Sequence, residues 1–270
     1  RSLIMLGTGN ATVTKCYNTC FVIKNKECFL IDTGGGNGIL SQLEKAQIPL
    51  EKIHHIFITH EHTDHVLGII WMIRMIATKI KNGTYKDNLI IYCHEDLVNI
   101  IITIAKLTVQ PQFFKFVGDR ILFSPLLDGS ERDILNYHVK FFDIKSTKAK
   151  QFGFTTVINH DKKFTCLGDE PYKDHEYEYV YQADWLLHEA FCLYEDRDVF
   201  RPYEKHHSTV KDTCELAEKL EIKNLVMYHT EDRNMENRKE RYTKEGKDYY
   251  QGNIWVPDDL ETITLYGYYA

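Results

Sequence analysis

The chain has no apolar run of the ~18 residues that a membrane-spanning helix needs. Its longest candidate, residues 66–80, is broken by Arg74 and Lys79. It has no C-x-x-C pair, and its seven cysteines are irregularly spaced and odd in number, which excludes a disulfide framework. It has no surplus of positive charge: 33 Lys and Arg face 39 Asp and Glu, for a net charge of −6. That excludes polyanion binding by the surface as a whole. There is no linker rich in Pro, Gly and Ser, no low-complexity tract and no short repeat. The sequence opens without an initiator Met on the strand-like residues 2–6, and no basic segment leads into a long apolar region. The expectation is a cytoplasmic chain without membrane association. What is present is ordinary for a globular protein, with 43% hydrophobic and 27% charged residues in 270, enough to bury a large core.

Residues 3–6, 20–23 and 28–31 are short apolar runs closed by Gly, Asn or Lys, and read as a β-meander. A glycine-rich stretch at 34–38 leads into a helix over 39–46. Residues 53–59 are β-branched and nearly uncharged, as in a strand buried on both faces, and 66–80 form a mostly buried helix. Further strands are predicted at 89–93, 139–144, 154–159, 163–167, 185–187 and 225–228, with helices at 97–106 and 210–220. Ser208 or Thr209 is placed to cap the last of these. The charge-rich residues 231–247 read as a solvated loop or helix. Strands and helices alternate in both halves, so a single domain over residues 1–270 is expected, with sheets inside and helices outside.

Residues 60–65 carry the chemistry: His60, Glu61, His62, Thr63, Asp64 and His65. Imidazole and carboxylate ligands suit zinc, and Mn2+ or Fe2+ accept the same set. His60 and His62 point the same way if the chain leaves its strand extended. Asp64 and His65 are adjacent and reach a second position from a tight turn, so two metal positions are favoured over one closed site. A helical H-E-x-x-H motif is excluded, because position 64 is Asp. The loop follows directly on a buried strand, at the end where sites form in open α/β sheets. Asp169, in a Gly-Asp turn after the strand at 163–167, and His229, ending the strand at 225–228, are further candidate ligands.

These residues resemble the metallo-β-lactamase superfamily, and within it the ribonuclease Z-like branch. Leu6-Gly7-Thr8-Gly9 with Asn18-Thr19-Cys20 resembles the opening strand and turn. Leu30-Ile31-Asp32-Thr33-Gly34 resembles the first motif, whose Asp orients the ligands from behind. Residues 59–65 resemble the second motif, Gly168-Asp169 the fourth, with a metal-bridging Asp, and His229 the fifth. His188-Glu189-Ala190-Phe191 and His207-Ser208-Thr209 are similar to two motifs of the branch in which a His paired with an acid protonates the leaving oxygen.

The resemblance implies a four-layer αβ/βα sandwich of the α/β class. One metal would take His60, His62 and Asp169, and the other Asp64, His65, Asp169 and His229. Asp64 would orient or deprotonate a metal-activated water, and His207, steadied by Glu189, would act as general acid. The implied activity is hydrolysis of a small-molecule or nucleotide phosphodiester by one or two Zn2+ ions, and the branch implies a homodimer. The alternatives are hydrolysis of another ester, thioester or lactam, transfer RNA 3′-processing, and a catalytically weak metal- or ligand-binding protein.

Two departures bear on these alternatives. The position expected for the third-motif His is Lys145, whose ammonium has no lone pair for a metal, so the first metal position is expected to be weakened or empty with that ammonium near it. His138 and His160 are poor substitutes. No Gly/Pro-rich insertion resembles the arm that grips transfer RNA, which leaves that substrate less favoured.

Overall fold

The structure is a computed structural model that describes residues 1–265. The chain divides into two compact units, one formed by residues 1–7, 17–127 and the segment from Asp259, the other by residues 8–16 and 128–258.

The first unit holds β1 (Ser2–Gly7), β2 (Cys20–Lys24), β3 (Cys28–Ile31), β4 (Ile53–Phe57), β5 (Leu89–His94), β6 (Ile121–Leu126) and the closing strand β14 (Thr262–Thr264). They form one sheet in the order β14-β1-β2-β3-β4-β5-β6. The predicted meander is the antiparallel β1-β2-β3 portion, and β3 to β6 are parallel. Helices α1 (Gly38–Lys45), α2 (Thr63–Lys81), α3 (Glu95–Thr108) and the short α4 (Pro111–Phe114) supply the crossovers. Ile39, Leu43, Ile69, Met72, Ile73, Ile76, Leu97 and Ile101 pack with Leu30, Ile56, Ile58 and Ile91 in one buried cluster.

α2 begins at Thr63, three residues earlier than periodicity predicts, so Asp64 and His65 lie in its first turn. The start of α2 is pressed against the chain leaving β3. A Cβ on Gly68 would fall 2.1 Å from the Thr33 carbonyl oxygen, and Gly68 N–H donates to the Gly34 carbonyl at 2.9 Å. Only glycine permits that approach.

The second unit holds β7 (Glu131–Ile134), β8 (Tyr137–Asp143), β9 (Phe152–Ile158), β10 (Lys162–Cys166), β11 (Trp185–Glu189), β12 (Asn224–Tyr228) and β13 (Asn253–Trp255), in the order β13-β12-β11-β10-β9-β8-β7. β7 to β10 are antiparallel, and β10 to β13 parallel. The short helices α5 (Tyr177–Val180) and α6 (Arg197–Phe200) precede α7 (Val210–Lys219) and α8 (Arg238–Lys247). Thr209 is the cap of α7, in a reciprocal capping box with Asp212.

The expectation of a solvated loop or helix at 231–247 is met by the helix α8, but one face of the segment is buried rather than solvated. Glu231, Arg238 and Tyr242 are buried. The Tyr242 hydroxyl donates to Glu231 at 2.7 Å, and the Arg238 guanidinium donates to the Thr230 hydroxyl and the Pro257 carbonyl, both at 2.8 Å. A composition rich in charge conceals a packed face because its charges are satisfied internally. Among the described residues no helix is long and apolar enough to cross a membrane.

Candidate metal centre and acid–base pair

In the first unit the parallel strands β3 and β4 deliver their C-terminal ends side by side. After β3 the backbone turns into the left-handed region at Asp32 (φ 57°). The Asp32 carboxylate accepts the Thr59 backbone N–H at 2.8 Å, the Thr59 hydroxyl at 2.8 Å and His65 Nδ1–H at 2.7 Å. The Thr59 hydroxyl, its proton given to Asp32, accepts in turn from His60 Nδ1 at 2.9 Å. One buried carboxylate thus sets the tautomer of two imidazoles, leaving Nε2 as the basic nitrogen of both His60 and His65. The His60 ring centroid lies 4.6 Å from that of His62 and 4.3 Å from that of His65, and His65 Nε2 is 3.1 Å from an Asp64 oxygen. His60, Asp64 and His65 are buried and His62 is half-buried. All four predicted ligands of the loop therefore share one locus, with Asp64 in the first turn of α2.

In the second unit β10, β11 and β12 run parallel, and Asp169, Glu189 and His229 stand at or just past their C-terminal ends. Gly168 adopts φ 64°, and a Cβ there would lie 2.0 Å from Gln151 Oε1. The turn presents Asp169 to that side chain. Gln151 Nε2 donates to Asp169 Oδ1 at 2.7 Å, and Asp169 N–H donates back to Gln151 Oε1 at 3.0 Å. The other carboxylate oxygen, Oδ2, is 3.4 Å from His229 Nε2.

His207 stacks on Phe191 with ring centroids 4.8 Å apart and lies 5.3 Å from the His229 ring, and its Nδ1 is 3.5 Å from Glu189 Oε2. Glu189 Oε1 accepts the Ser208 N–H at 2.6 Å. Burial pushes the Glu189 carboxyl up to about 7, against the lowering influence of His188, the Ser208 N–H and His229. His188 itself is structural. Its Nε2 accepts the Tyr172 N–H at 3.2 Å, and its Nδ1–H donates to the Glu189 carbonyl at 2.7 Å.

Lys145 follows β8 as an exposed residue in left-handed backbone (φ 58°), with its N–H on Asp143 and its carbonyl bonded by the Lys173 ammonium. His138 is near the opposite end of β8, exposed and paired with Asp133 and Glu131, and His160 is in the turn before β10 while Asp169 follows that strand. Neither replaces the missing His.

Sequence reading missed Gln151, which belongs to no short motif and lies 18 residues from the carboxylate it holds. Its burial in a polar stretch is visible only in the fold.

The model of the Anti-Pycsar protein Apyc1 family matches residues 1–247. The chain belongs to this family. It is also similar to ribonuclease Z of Methanocaldococcus jannaschii, at 27% identity over 97% of this chain and 96% of that one. Human tRNase Z, short form, has a solved structure that superposes with a TM-score of 0.74 at 23% identity, covering 98% of this chain and 99% of the other. The metallo-β-lactamase fold protein YhfI of Bacillus subtilis gives a TM-score of 0.77 at 15% identity, over 97% and 98% of the two chains. The fold of this family member is that of the metallo-β-lactamases, and the ribonuclease Z-like branch inferred from the motifs is where its relatives lie.

Proposed function

We propose that this member of a metallo-β-lactamase-fold hydrolase family is a metal-dependent phosphodiesterase acting on a small-molecule or nucleotide phosphodiester. The observation that carries the reading is the pairing of His207 with Glu189, one ring away from His229. The alkoxide leaving from a phosphodiester needs a proton, and a His whose Nδ1 faces a carboxylate at 3.5 Å has the other ring nitrogen to give one.

In this reading His60, His62 and Asp169 hold one ion, and Asp64, His65, Asp169 and His229 hold a second. The donors fit a metal, because Asp32 and Thr59 fix His60 and His65 with Nε2 as the basic nitrogen. Zn2+ suits the imidazole and carboxylate set, and Mn2+ or Fe2+ accept it too. When bound, such ions lower the pKa of water towards ~7 and polarise the phosphoryl oxygen. Asp64 orients the attacking water and takes up its proton. His207 gives a proton to the leaving oxygen, Glu189 keeps the ring aligned, and Phe191 shields one ring face from solvent. Both compact units belong to one hydrolase domain, which works as a cytoplasmic homodimer.

The test is hydrolysis of bis-p-nitrophenyl phosphate by the Zn2+- or Mn2+-loaded chain, run beside p-nitrophenyl acetate and a chromogenic β-lactam. Activity confined to the latter two would replace the phosphodiester with another ester, thioester or lactam. Transfer RNA 3′-processing is the second reading, favoured by relatives named ribonuclease Z. Cleavage of precursor transfer RNA at its 3′ side would establish it.

A further inference from the structure

In the first unit the glycine-rich stretch at 34–38 is a seat for the Tyr17 ring. A Cβ on Gly34 would fall 2.3 Å from that ring, and one on Gly38 would fall 2.5 Å from it. Any side chain at either position would push the phenol away from the chain leaving β3. The Tyr17 hydroxyl donates to the Thr33 carbonyl at 2.7 Å, and the Gly36 carbonyl lies 3.1 Å from the same oxygen. Burial pushes the pKa of the phenol up, which keeps its proton in place as a donor.

Tyr17 is itself held at its backbone. Its N–H donates to an Asp259 carboxylate oxygen at 2.6 Å, and Gln42 Nε2 on α1 lies 3.5 Å from that oxygen. On the other side of the ring, Thr33 is the residue against which the start of α2 rests. Its N–H and its hydroxyl both donate to the His65 carbonyl, at 3.1 and 2.9 Å. Its neighbour Asp32 carries the carboxylate that fixes His65 Nδ1. A continuous chain therefore runs from the Tyr17 hydroxyl through Thr33 to His65, all of it within one compact unit.

We infer that Tyr17 is a positioning residue for the metal centre, holding the left-handed corner at Asp32 and through it the placement of His65. The inference rests on the metal-dependent reading above. Asp32 sits at φ 57°, a conformation that persists only where its surroundings impose it. The Tyr17 hydroxyl bonds the chain one residue past that corner. Without this bond the corner has one restraint fewer, and the Asp32 carboxylate no longer meets His65 Nδ1 in a single orientation. An imidazole serves a metal only while its Nε2 is aimed, so the loss is felt as metal affinity. The glycines are then explained as clearance for the phenol.

The experiment compares Tyr17→Phe with Tyr85→Phe. Tyr85 is the matched control, a buried tyrosine of the same unit whose hydroxyl donates to the Ile53 carbonyl at 2.6 Å, at the end of β4 away from residues 60–65. Chelator competition measures the Kd of the tight Zn2+ equivalent, and the visible absorption of the Co2+-loaded chain reports ligand geometry. Tyr17→Phe keeps the ring in its seat and removes only the hydroxyl. It is expected to raise the Zn2+ Kd about tenfold and to change the Co2+ spectrum. Tyr85→Phe should leave both as in the parent, even with a lowered melting temperature. The inference is overturned if Tyr17→Phe binds Zn2+ as the parent does. It is equally overturned if the two variants weaken binding alike, since that marks a general loss of stability. Failure of the metal-dependent reading looks different, because the parent itself then binds no Zn2+, and this inference falls with it.

Discussion

Gln151 grips Asp169 with both ends of its carboxamide, donating from Nε2 to Oδ1 and accepting the Asp169 N–H on Oε1. The carboxylate proposed to bridge two metals is thus oriented by a neutral side chain, which fixes one oxygen and turns the other towards His229. Gln151→Glu removes the donor and sets a second carboxylate against the first. Metal affinity, measured by chelator competition, is expected to fall about 10–100-fold with the circular dichroism spectrum unchanged. An affinity equal to the parent's would show that the pair does not serve the metal.

The pairing of His207 with Glu189 predicts a dependence on the leaving group. His207→Ala should cost about 10²–10⁴ in kcat on dialkyl diesters, the usual worth of a general acid. Nitrophenolate departs without a proton, so bis-p-nitrophenyl phosphate should lose far less. Glu189→Gln should move both rates in the same direction by a smaller amount. Equal losses on both substrates would place His207 in binding rather than in proton transfer.

Lys145 predicts unequal metal retention. After dialysis the parent should keep one tight equivalent by elemental analysis and a second only weakly, because its ammonium cannot ligate. Lys145→His should hold two and gain activity, and a large gain of both would favour the reading of the parent as a catalytically weak binder. Two tight equivalents in the parent would rule this account out.

Glu176 predicts a pH dependence of stability unrelated to catalysis. Its Oε1 accepts the Lys173 N–H at 2.7 Å, while its buried Oε2 has no hydrogen-bond partner among the described residues. Burial raises the carboxyl from 4.5 to about 8. Between those values the folded chain keeps a proton that the unfolded chain releases. This contribution is therefore complete below about 4.5 and is lost as pH rises through about 8. Glu176→Gln keeps the acceptor and removes the titration. Its melting temperature should exceed the parent's at alkaline pH, and the gap should close on acidification.

Legibility in the sequence followed the physics of each part. β3 was readable because a strand buried on both faces is a continuous apolar run, β4 from its β-branched residues although His54 and His55 within it are half-buried, and the metal loop because three His and an Asp in six residues leave few other uses. Asp169 and His229 were readable as the residues that end apolar strands. β7, β13 and β14, of three or four residues each, are too short for alternation to register. The buried face of α8 was hidden by its charges. Gln151 and Tyr172 sit in irregular chain between elements and Tyr203 in a single 3-10 turn, so no spacing rule encodes where their side chains lie.

The strands that feed the candidate centre end in left-handed corners: Asp32 at φ 57°, Gly168 at 64° and His229 at 61°. Glycine rests in that conformation without strain, whereas Asp32 and His229 each give up roughly 1–2 kcal/mol to stay there. Activity and foldability therefore pull these two positions in opposite directions. His229→Gly relieves that strain but empties a buried ring site, so it is expected to lose its metal without melting higher than the metal-free parent. The strain at these corners is held in place by buried contacts, so the chain keeps its ligand geometry only as long as the packing behind them is intact.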